Sequence, residues 1–328
     1  MIRDILTNIT INILEGNRME VTASMVKELR EMTGAGMMDC KKALAATDGD
    51  MDKAVEFLRE KGLAAAEKKA GRIAAEGVVD TNVSADGKAA AIVEVNSETD
   101  FVAKNEKFRD FVAAVAAQAT VTNSTDMDAF MAEKWSLDSS LTVKEALSSL
   151  IAVIGENMNI RRFEKVTAAD GFVVSYIHGG GRIGILVEVA SSVNNAEVQE
   201  AAKNVAMQIA AMSPKYVNQS EISADFIEHE KEILKAQVKN DPANAKKPEN
   251  IIEKMIEGRL AKELKEFCLV DQLYVKDSEV TVGQYLANVS KQVGADVAVK
   301  SFVRFETGEG LEKKSENFAE EVAKQMGN

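Results

Sequence analysis

The feature that most constrains the fold of this chain is an internal repeat. Two segments share the order strand, turn, strand, loop and helix, and each carries Val-Glu-Val in its second strand. The strands of the first copy fall at residues 77–79 and 92–95, and those of the second at residues 172–174 and 185–189. Self-similarity of this kind indicates a duplicated supersecondary unit. Because strands joined by a tight turn pair antiparallel, the repeat predicts an α+β fold with a duplicated core of antiparallel sheets.

The loop that follows the second strand of the first copy is the most unusual stretch of the sequence. Residues 96–100 are polar, and two large apolar residues, Phe101 and Val102, follow directly where solvation favours polar ones. Two interpretations are open at this point. Phe101 folds back as a lid on the following helix, or it is a wedge that enters a partner's pocket with Asp100 acting beside it.

The overall charge bears on the kind of partner. The chain has 328 residues, enough for two or three domains, and its formal net charge is -12. An acidic surface repels phosphate backbones and is attracted to basic patches on another protein. We therefore expect a protein partner and no direct contact with nucleic acid.

Cysteine usage and hydropathy indicate the compartment. Cys40 and Cys268 lie in helical patterns without a C-x-x-C, which is typical of free thiols in a reducing compartment. No apolar run reaches the roughly 18 residues that span a bilayer, and the N-terminus lacks the pattern of a signal peptide. The sequence predicts a cytoplasmic protein with no membrane association.

The N-terminal part divides into three segments. Residues 1–18 share no pattern with the rest, and a helix start follows Met19, so we expect a non-native or disordered extension ahead of a true start at Met19. Residues 19–62 predict a three-helix docking module whose third helix stops at Gly62. Residues 63–75 predict a basic, alanine-rich connector helix.

Two adjacent methionines, Met37 and Met38, stand in a glycine-containing loop of the docking module. Methionine suits an adaptable contact surface, but it is equally common in cores, so both interpretations stay open for these two residues.

The remaining chain divides into the two copies of the repeat and two helical additions. The first copy includes a helical tail from Trp135 through residues 141–154, and the second is interrupted by a helical hairpin of the coiled-coil type with a proline-containing break. A strand at residues 297–305 is expected to join a sheet. The predicted units are core subdomain one at 76–165, core subdomain two at 166–222 and 270–308, a protruding antiparallel hairpin at 223–269, and a C-terminal helical module at 309–328 with an amphipathic helix at 317–326.

The sequence offers no catalytic constellation. Gly179, Gly181 and Gly184 spell G-x-G-x-x-G, but strands precede and follow them, so this is a hairpin turn and not a dinucleotide site. The two histidines, His178 and His229, have no metal-ligand spacing, and there is no P-loop or G-x-S-x-G. We expect no cofactor and no metal. An enzyme with an acid site around Asp100 is a less favoured alternative.

Several long motifs, taken together, resemble the bacterial elongation factor Ts family. The similarity runs from about Met19 to the C-terminus. The motifs that carry it are residues 22–30 and 33–44, residues 95–96 and 99–103, residues 155–162, and residues 183–184 after His178.

The resemblance implies a guanine-nucleotide exchange factor for elongation factor Tu that acts without covalent chemistry and is therefore not an enzyme. It implies that Phe101, within the motif Thr99-Asp100-Phe101-Val102, is a wedge between partner helices and that Asp100 helps to disturb the partner's magnesium site. It also implies a ubiquitin-associated fold for the first module, so an adaptor without exchange activity is the alternative function. The further contact positions implied are Thr99, Val102, His178, Arg30, Met37 and Met38.

Overall fold

The structure is a computed structural model that describes residues 21–244 and 247–312. The predictions for residues 1–18 and for a C-terminal helix at 317–326 lie outside the described residues. The helices are α1 (Ala23–Thr33), α2 (Met37–Ala46), α3 (Met51–Lys69), α4 (Asp100–Ala103), α5 (Glu106–Val121), α6 (Met127–Ala132), α7 (Val143–Ile154), α8 (Ala196–Met212), α9 (Ala224–Asn240), α10 (Glu249–Phe267) and α11 (Val282–Val293). The strands are β1 (Glu76–Val83), β2 (Ala89–Ser97), β3 (Lys134–Trp135), β4 (Asp138–Thr142), β5 (Met158–Thr167), β6 (Phe172–His178), β7 (Ile183–Ala190), β8 (Leu273–Tyr274), β9 (Asp277–Thr281) and β10 (Ala298–Glu306).

Two three-stranded sheets form the centre of the molecule. The first has the order β1-β2-β5 and the second the order β6-β7-β10, and every neighbouring pair is antiparallel. The predicted α+β fold with antiparallel sheets is confirmed. The strand predicted at residues 297–305 is β10, and it joins the second sheet at β7 as expected.

The repeat is longer than the sequence analysis proposed. After its long helix, each copy continues into a small β-hairpin, a second helix and a third sheet strand: β3–β4, α7 and β5 in the first, β8–β9, α11 and β10 in the second. The expected helical tail was wrong at Trp135, which lies in β3, and was confirmed over residues 143–154, which form α7. Both second helices begin with a capping box, at Thr142 and at Thr281, so the preceding residues leave the helical conformation.

A buried glutamine holds the small hairpin of each copy in the same way. Gln118 of α5 accepts a hydrogen bond from the Ser136 N–H, and Gln208 of α8 accepts one from the Val275 N–H, at 3.0 and 2.8 Å. Each amide also donates to a carbonyl of the first hairpin strand. The two copies therefore share side-chain contacts as well as topology.

Each sheet is packed on both faces. One face of the first sheet carries Val93 and Val95 and packs against α5 and α7 in one apolar cluster. The other face contributes Ile92 to a cluster that also contains Leu186 and Val173 of the second sheet. The second sheet's outer face packs against α8 and α11. Because successive side chains of a strand point to opposite faces, β2 needs apolar residues at consecutive positions, which is the Ala-Ala-Ala-Ile-Val run of the sequence.

Helices α1 to α3 enclose a separate small core that includes Leu29, Cys40 and Leu44. The prediction that Gly62 ends the third helix was wrong, since α3 continues to Lys69. Gly62 is buried inside α3 at its contact with α7, where a Cβ would lie 3.6 Å from the Ser148 carbonyl oxygen and 3.8 Å from the Cβ of Ala152, which are ordinary contact distances. The predicted connector at 63–75 is helical as far as Lys69, where it continues α3, and the prediction was wrong for the residues that follow Ala70, which are not helical.

Helices α9 and α10 pack against each other through a small cluster of their own. Its buried members are Leu234 and Val238 on α9, and Ile252 and Ile256 on α10. At the base of this pair, the Lys215 ammonium lies 4.1 Å from the centroid of the Phe267 ring, which places a cation over an aromatic face.

Glu94 on β2 joins the two sheets electrostatically. Its fully buried carboxylate accepts hydrogen bonds from Arg161 and Arg162 of β5, from Asn96, and from the N–H of Gly308 beyond β10. Burial alone would raise the pKa of Glu94, but the hydrogen bonds from Gly308, Asn96 and the two arginines outweigh it and hold the pKa below its ordinary value. Glu94 is therefore a charged anchor between β2, β5 and the end of β10.

Replacing Glu94 with Gln is expected to lower the free energy of unfolding at pH 7 by about 2–3 kcal/mol, because two arginines lose their anionic partner. The native pKa lies below the ordinary value of 4.5, so the contribution is fully present above that pH and is lost as the pH falls through the native pKa. Urea denaturation should show the gap between wild type and variant narrowing below about pH 4.5.

The matched control for this experiment is Glu188→Gln on β7, the same position in the second copy. Glu188 has one hydrogen bond from Ser301 and one ion pair, with the exposed Lys300. We expect a loss of about 1 kcal/mol there. Equal losses at the two positions would contradict the assigned role of Glu94.

Candidate functional site

The turn after β2 is anchored at both of its ends. Thr99 caps the short helix α4, and its Oγ1 accepts a hydrogen bond from the Val102 N–H at 3.4 Å. Val102 and Ala103 are buried in the core of the first copy. Of the predicted site residues, Thr99 and Val102 therefore hold the turn in place, and the two residues between them are the ones displayed.

Phe101 is the most exposed large apolar side chain of the described residues, at 79%. The interpretation of Phe101 as a lid folded onto α5 is therefore wrong. The Asp100 carboxylate beside it is also exposed and pairs with Lys104 one helical turn later, at 2.6 Å. A hydrogen bond from Lys104 is the largest cause that lowers the pKa of Asp100, so the side chain is an anion at neutral pH.

Comparison of the two copies shows that this turn is an addition to the repeated unit. The buried glutamates Glu94 and Glu188 are equivalent, and so are Asn105 and Asn195, whose side chains cap α5 and α8. Eleven positions separate the first pair in the sequence and seven separate the second. The difference equals the four residues of α4. Since α8 packs on its sheet without such an insertion, the turn is not needed for the fold, and this favours a functional role.

His178 lies at the end of β6, and the G-x-G-x-x-G segment forms the turn between β6 and β7, as predicted. The histidine is exposed, and its Nδ1 lies 2.9 Å from the Tyr176 hydroxyl. Arg109 in the first turn of α5 donates to the Gly180 carbonyl at 2.7 Å. The structure thus attaches the histidine turn to the helix that directly follows the Phe101 turn.

The glycine turn is pinned by backbone hydrogen bonds as well. The Gly181 carbonyl accepts from the Val79 N–H at 2.7 Å and from the Thr307 hydroxyl at 3.0 Å. Gly181 has φ +101°, and a Cβ there would lie 2.9 Å from the Cβ of Val78. Close packing against β1 therefore demands glycine at this position.

The N-terminal candidates lie in a different part of the fold. Arg30 is exposed in the last turn of α1, and Met37 and Met38 begin α2 with 59% and 63% of their surface exposed. The interpretation of these methionines as core residues is therefore wrong. Met32, which the sequence analysis did not single out as a site residue, is exposed to the same degree as Met37. The contact roles of Arg30, Met37 and Met38 stay predictions.

Sequence reasoning also missed a residue next to the Phe101 turn. Glu156 follows the glycine that ends α7, and both of its carboxylate oxygens accept hydrogen bonds from Thr99. The available signal was its place in the motif of residues 155–162, to which no role had been given.

Within residues 21–244 and 247–312, no group of three or more His, Cys, Asp or Glu side chains is placed to hold a metal ion. Nor does any helix in the same ranges have the length and apolar character needed to cross a membrane.

Comparisons with known proteins agree on one family. The family model described as Elongation factor TS matches residues 98–309, a range that includes the Phe101 turn, Glu156 and His178. Elongation factor Ts of Clostridium novyi (strain NT) is 55% identical over 306 residues, which cover 93% of this chain and 99% of that protein. Elongation factor Ts of Clostridium botulinum (strain Alaska E43 / Type E3) is 56% identical over 307 residues, and that of Clostridioides difficile (strain 630) is 54% identical over 306 residues. Both of these proteins are covered over 99% of their length.

Replacing Gly181 with Ala is expected to lower the free energy of unfolding by about 2–4 kcal/mol, because the new Cβ is strained and meets Val78. The matched control is Gly180→Ala, at φ +66°, where the nearest atom to a Cβ is the end of the flexible Arg109 side chain at 3.9 Å. There we expect about 1 kcal/mol. Urea denaturation of both variants measures the difference, and equal losses would show that the contact with Val78 is unimportant.

Proposed function

Because the chain belongs to the elongation factor Ts family, we propose that it is the guanine-nucleotide exchange factor of elongation factor Tu. It binds elongation factor Tu in its GDP-bound and nucleotide-free forms, disturbs the site that holds magnesium and phosphate, and promotes GDP release so that GTP can load during translation elongation. It acts in the cytoplasm, with no direct contact with nucleic acid or membrane.

The observation that carries this proposal is the exposed Phe101 ring on an anchored turn. Thr99 and Val102 fix the turn on either side of the ring, so little conformational freedom remains to be lost when the ring enters a pocket. Aromatic anchors that fill a partner's pocket often dominate binding energies. Phe101 has the geometry of such an anchor.

Asp100 brings a negative charge to the same place. Mg²⁺ demands near-octahedral oxygen ligands and bridges nucleotide phosphates, so a small displacement of its ligands loosens the diphosphate. The exposed ion pair between Asp100 and Lys104 is weak in water and can be exchanged for contacts with a partner. We propose that Asp100 disturbs the partner's magnesium site while Phe101 separates the elements that form it.

The remaining candidate residues would raise the affinity for the partner through contacts at a distance from the nucleotide. We propose that His178 contacts the partner beside the Phe101 turn, and that Arg30, Met37 and Met38 contact it through an N-terminal module of the ubiquitin-associated type. The coiled-coil hairpin of α9 and α10 and the C-terminal segment would add further contacts. Contacts on separate elements raise the affinity without touching the nucleotide.

Phe101→Ala and Asp100→Ala are expected to slow GDP release from elongation factor Tu by about tenfold or more at a fixed concentration of this protein, because each removes a group that acts at the magnesium site. Release of a fluorescent GDP in a stopped-flow instrument measures the rate. Wild type should accelerate release, and if it does not, the exchange function is wrong.

Matched controls separate this effect from a general loss of surface. Leu137→Ala removes a side chain that is about as exposed as Phe101 but lies in the turn between β3 and β4. Asp128→Asn removes an exposed carboxylate from the first turn of another short helix, α6. Both variants should accelerate GDP release from elongation factor Tu as much as wild type does. If all four variants behave alike, Phe101 and Asp100 have no special role.

Exchange implies a reciprocal effect on binding, which distinguishes an exchange factor from an adaptor. If this protein weakens GDP binding to elongation factor Tu, GDP must weaken the binding of this protein by the same factor. Calorimetric titration should therefore give a dissociation constant at least about tenfold higher with GDP and magnesium than with nucleotide-free elongation factor Tu. An adaptor that binds through its N-terminal module would show the same affinity in both states.

A further inference from the structure

We propose that Glu156 is the positioning residue of the Phe101 turn: its carboxylate holds Thr99 so that Phe101 is presented in one orientation. The inference rests on the proposed exchange function, since it explains how the wedge of that function is kept rigid. Glu156 itself does not need to touch the partner.

The contact between Glu156 and Thr99 is bidentate. The Thr99 N–H donates to Oε2 of Glu156 at 3.1 Å, and the Thr99 hydroxyl donates to Oε1 at 2.7 Å. The same hydroxyl oxygen accepts from the Val102 N–H and so begins α4. Hydrogen bonds to a charged acceptor are stronger and more directional than neutral ones. Glu156 therefore fixes the residue from which Asp100 and Phe101 project.

A second carboxylate makes a similar contact in the opposite direction between the same two loops. Glu98, next to Thr99, accepts from the N–H of Asn157, next to Glu156, and from the Arg72 guanidinium at 3.3 Å. The Asn157 amide in turn donates to the Arg72 carbonyl at 2.7 Å. Each of the two loops thus places a carboxylate on a backbone N–H of the other, and the chain beyond α3 closes the network.

The second copy of the repeat offers an internal comparison. Gly155 and Gly294 end the equivalent helices α7 and α11 in the left-handed conformation, so Ala295 occupies the position of Glu156. The second copy also lacks the four-residue insertion that forms α4. The carboxylate is therefore present in the copy that has a projecting turn to hold and absent from the copy that has none. If the carboxylate of Glu156 served the shared fold, a carboxylate would be needed at this position in both copies.

Electron paramagnetic resonance of a spin label at position 101 tests the inference in the protein alone. Phe101→Cys provides the attachment site, and the native Cys40 and Cys268 are both fully buried. Adding Glu156→Ala should narrow the spectrum, because the label gains motion, and Glu156→Gln should restore part of the order, because its amide oxygen still accepts one of the two bonds. An unchanged spectrum in Glu156→Ala overturns the proposal.

The matched control is Glu133→Ala. Glu133 is half-buried in the same copy and holds another loop, after the far end of α5, through the hydroxyls of Thr122 and Ser124. It should leave the spectrum of the label at 101 unchanged, and an equal narrowing would show only a general loosening. Should Glu156→Ala fail to fold by circular dichroism, Glu156→Gln decides the question. It keeps only one of the two bonds, so the label should still gain some motion relative to the protein with native Glu156, and an unchanged spectrum overturns the proposal.

Stopped-flow GDP release then separates positioning from binding. In the otherwise native chain, Glu156→Ala should lower the maximal release rate at saturating concentration by about tenfold, with a smaller change in the half-saturating concentration, because the N-terminal contacts remain. The Glu133→Ala variant should accelerate GDP release from elongation factor Tu as much as wild type does. A rate unaffected by Glu156→Ala while wild type accelerates release overturns the positioning role and leaves the exchange function intact. Failure of wild type itself overturns the exchange function, and the spin-label result still decides the role of Glu156.

Discussion

The burial of β2 on both faces is the constraint on which the rest of the structure depends. Val93 and Val95 pack beneath α5 and α7 on one side, while Ile92 packs against the second sheet on the other. The polar residue between them, Glu94, is paired with two arginines of β5. A strand held in this way has little freedom along its length, and the Phe101 turn begins directly where it ends. The Phe101 turn is therefore attached to β2, the most constrained element of the fold, which limits the motion of the turn.

Duplication explains why the Phe101 turn could be added without loss of the fold. Both copies keep the same sheet, the same glutamine contact to the small hairpin and the same capping box before the second helix. The insertion of α4 lies between a strand and a helix that are each held by their own contacts. In the second copy residues 191–195 alone connect the strand to the helix, which shows that the core does not require the insertion.

Much of the fold could be predicted from the sequence because its signals are local. Consecutive apolar residues marked β2, and Val-Glu-Val marked its counterpart β7. The small hairpins were missed because β3 and β8 are two residues long, too short for any period to be visible. Their signal was the repeated D-S-x-[L/V]-T-V at residues 138–143 and 277–282, which only a longer alignment of the two copies reveals. Gly62 was misread because a glycine inside a helix gives the same local signal as a glycine that ends one.

Part of the candidate site could likewise be predicted from the sequence, and part could not. Phe101 and Asp100 could be found because an apolar residue in a polar loop is unusual by itself. Glu156 was missed because its place in the motif of residues 155–162 indicates no role until the structure places its carboxylate 2.7 Å from the Thr99 hydroxyl. An exposed phenyl ring adds little to the stability of the free protein and tends to lower its solubility. In the exchange function that we propose, the ring would contribute most if it were ordered before binding, because a ring on a mobile turn would lose its freedom at the partner and weaken the coupling to the nucleotide. On this proposal, a residue such as Glu156 that does not touch the partner would still determine how much of the ring's binding energy acts on the nucleotide site.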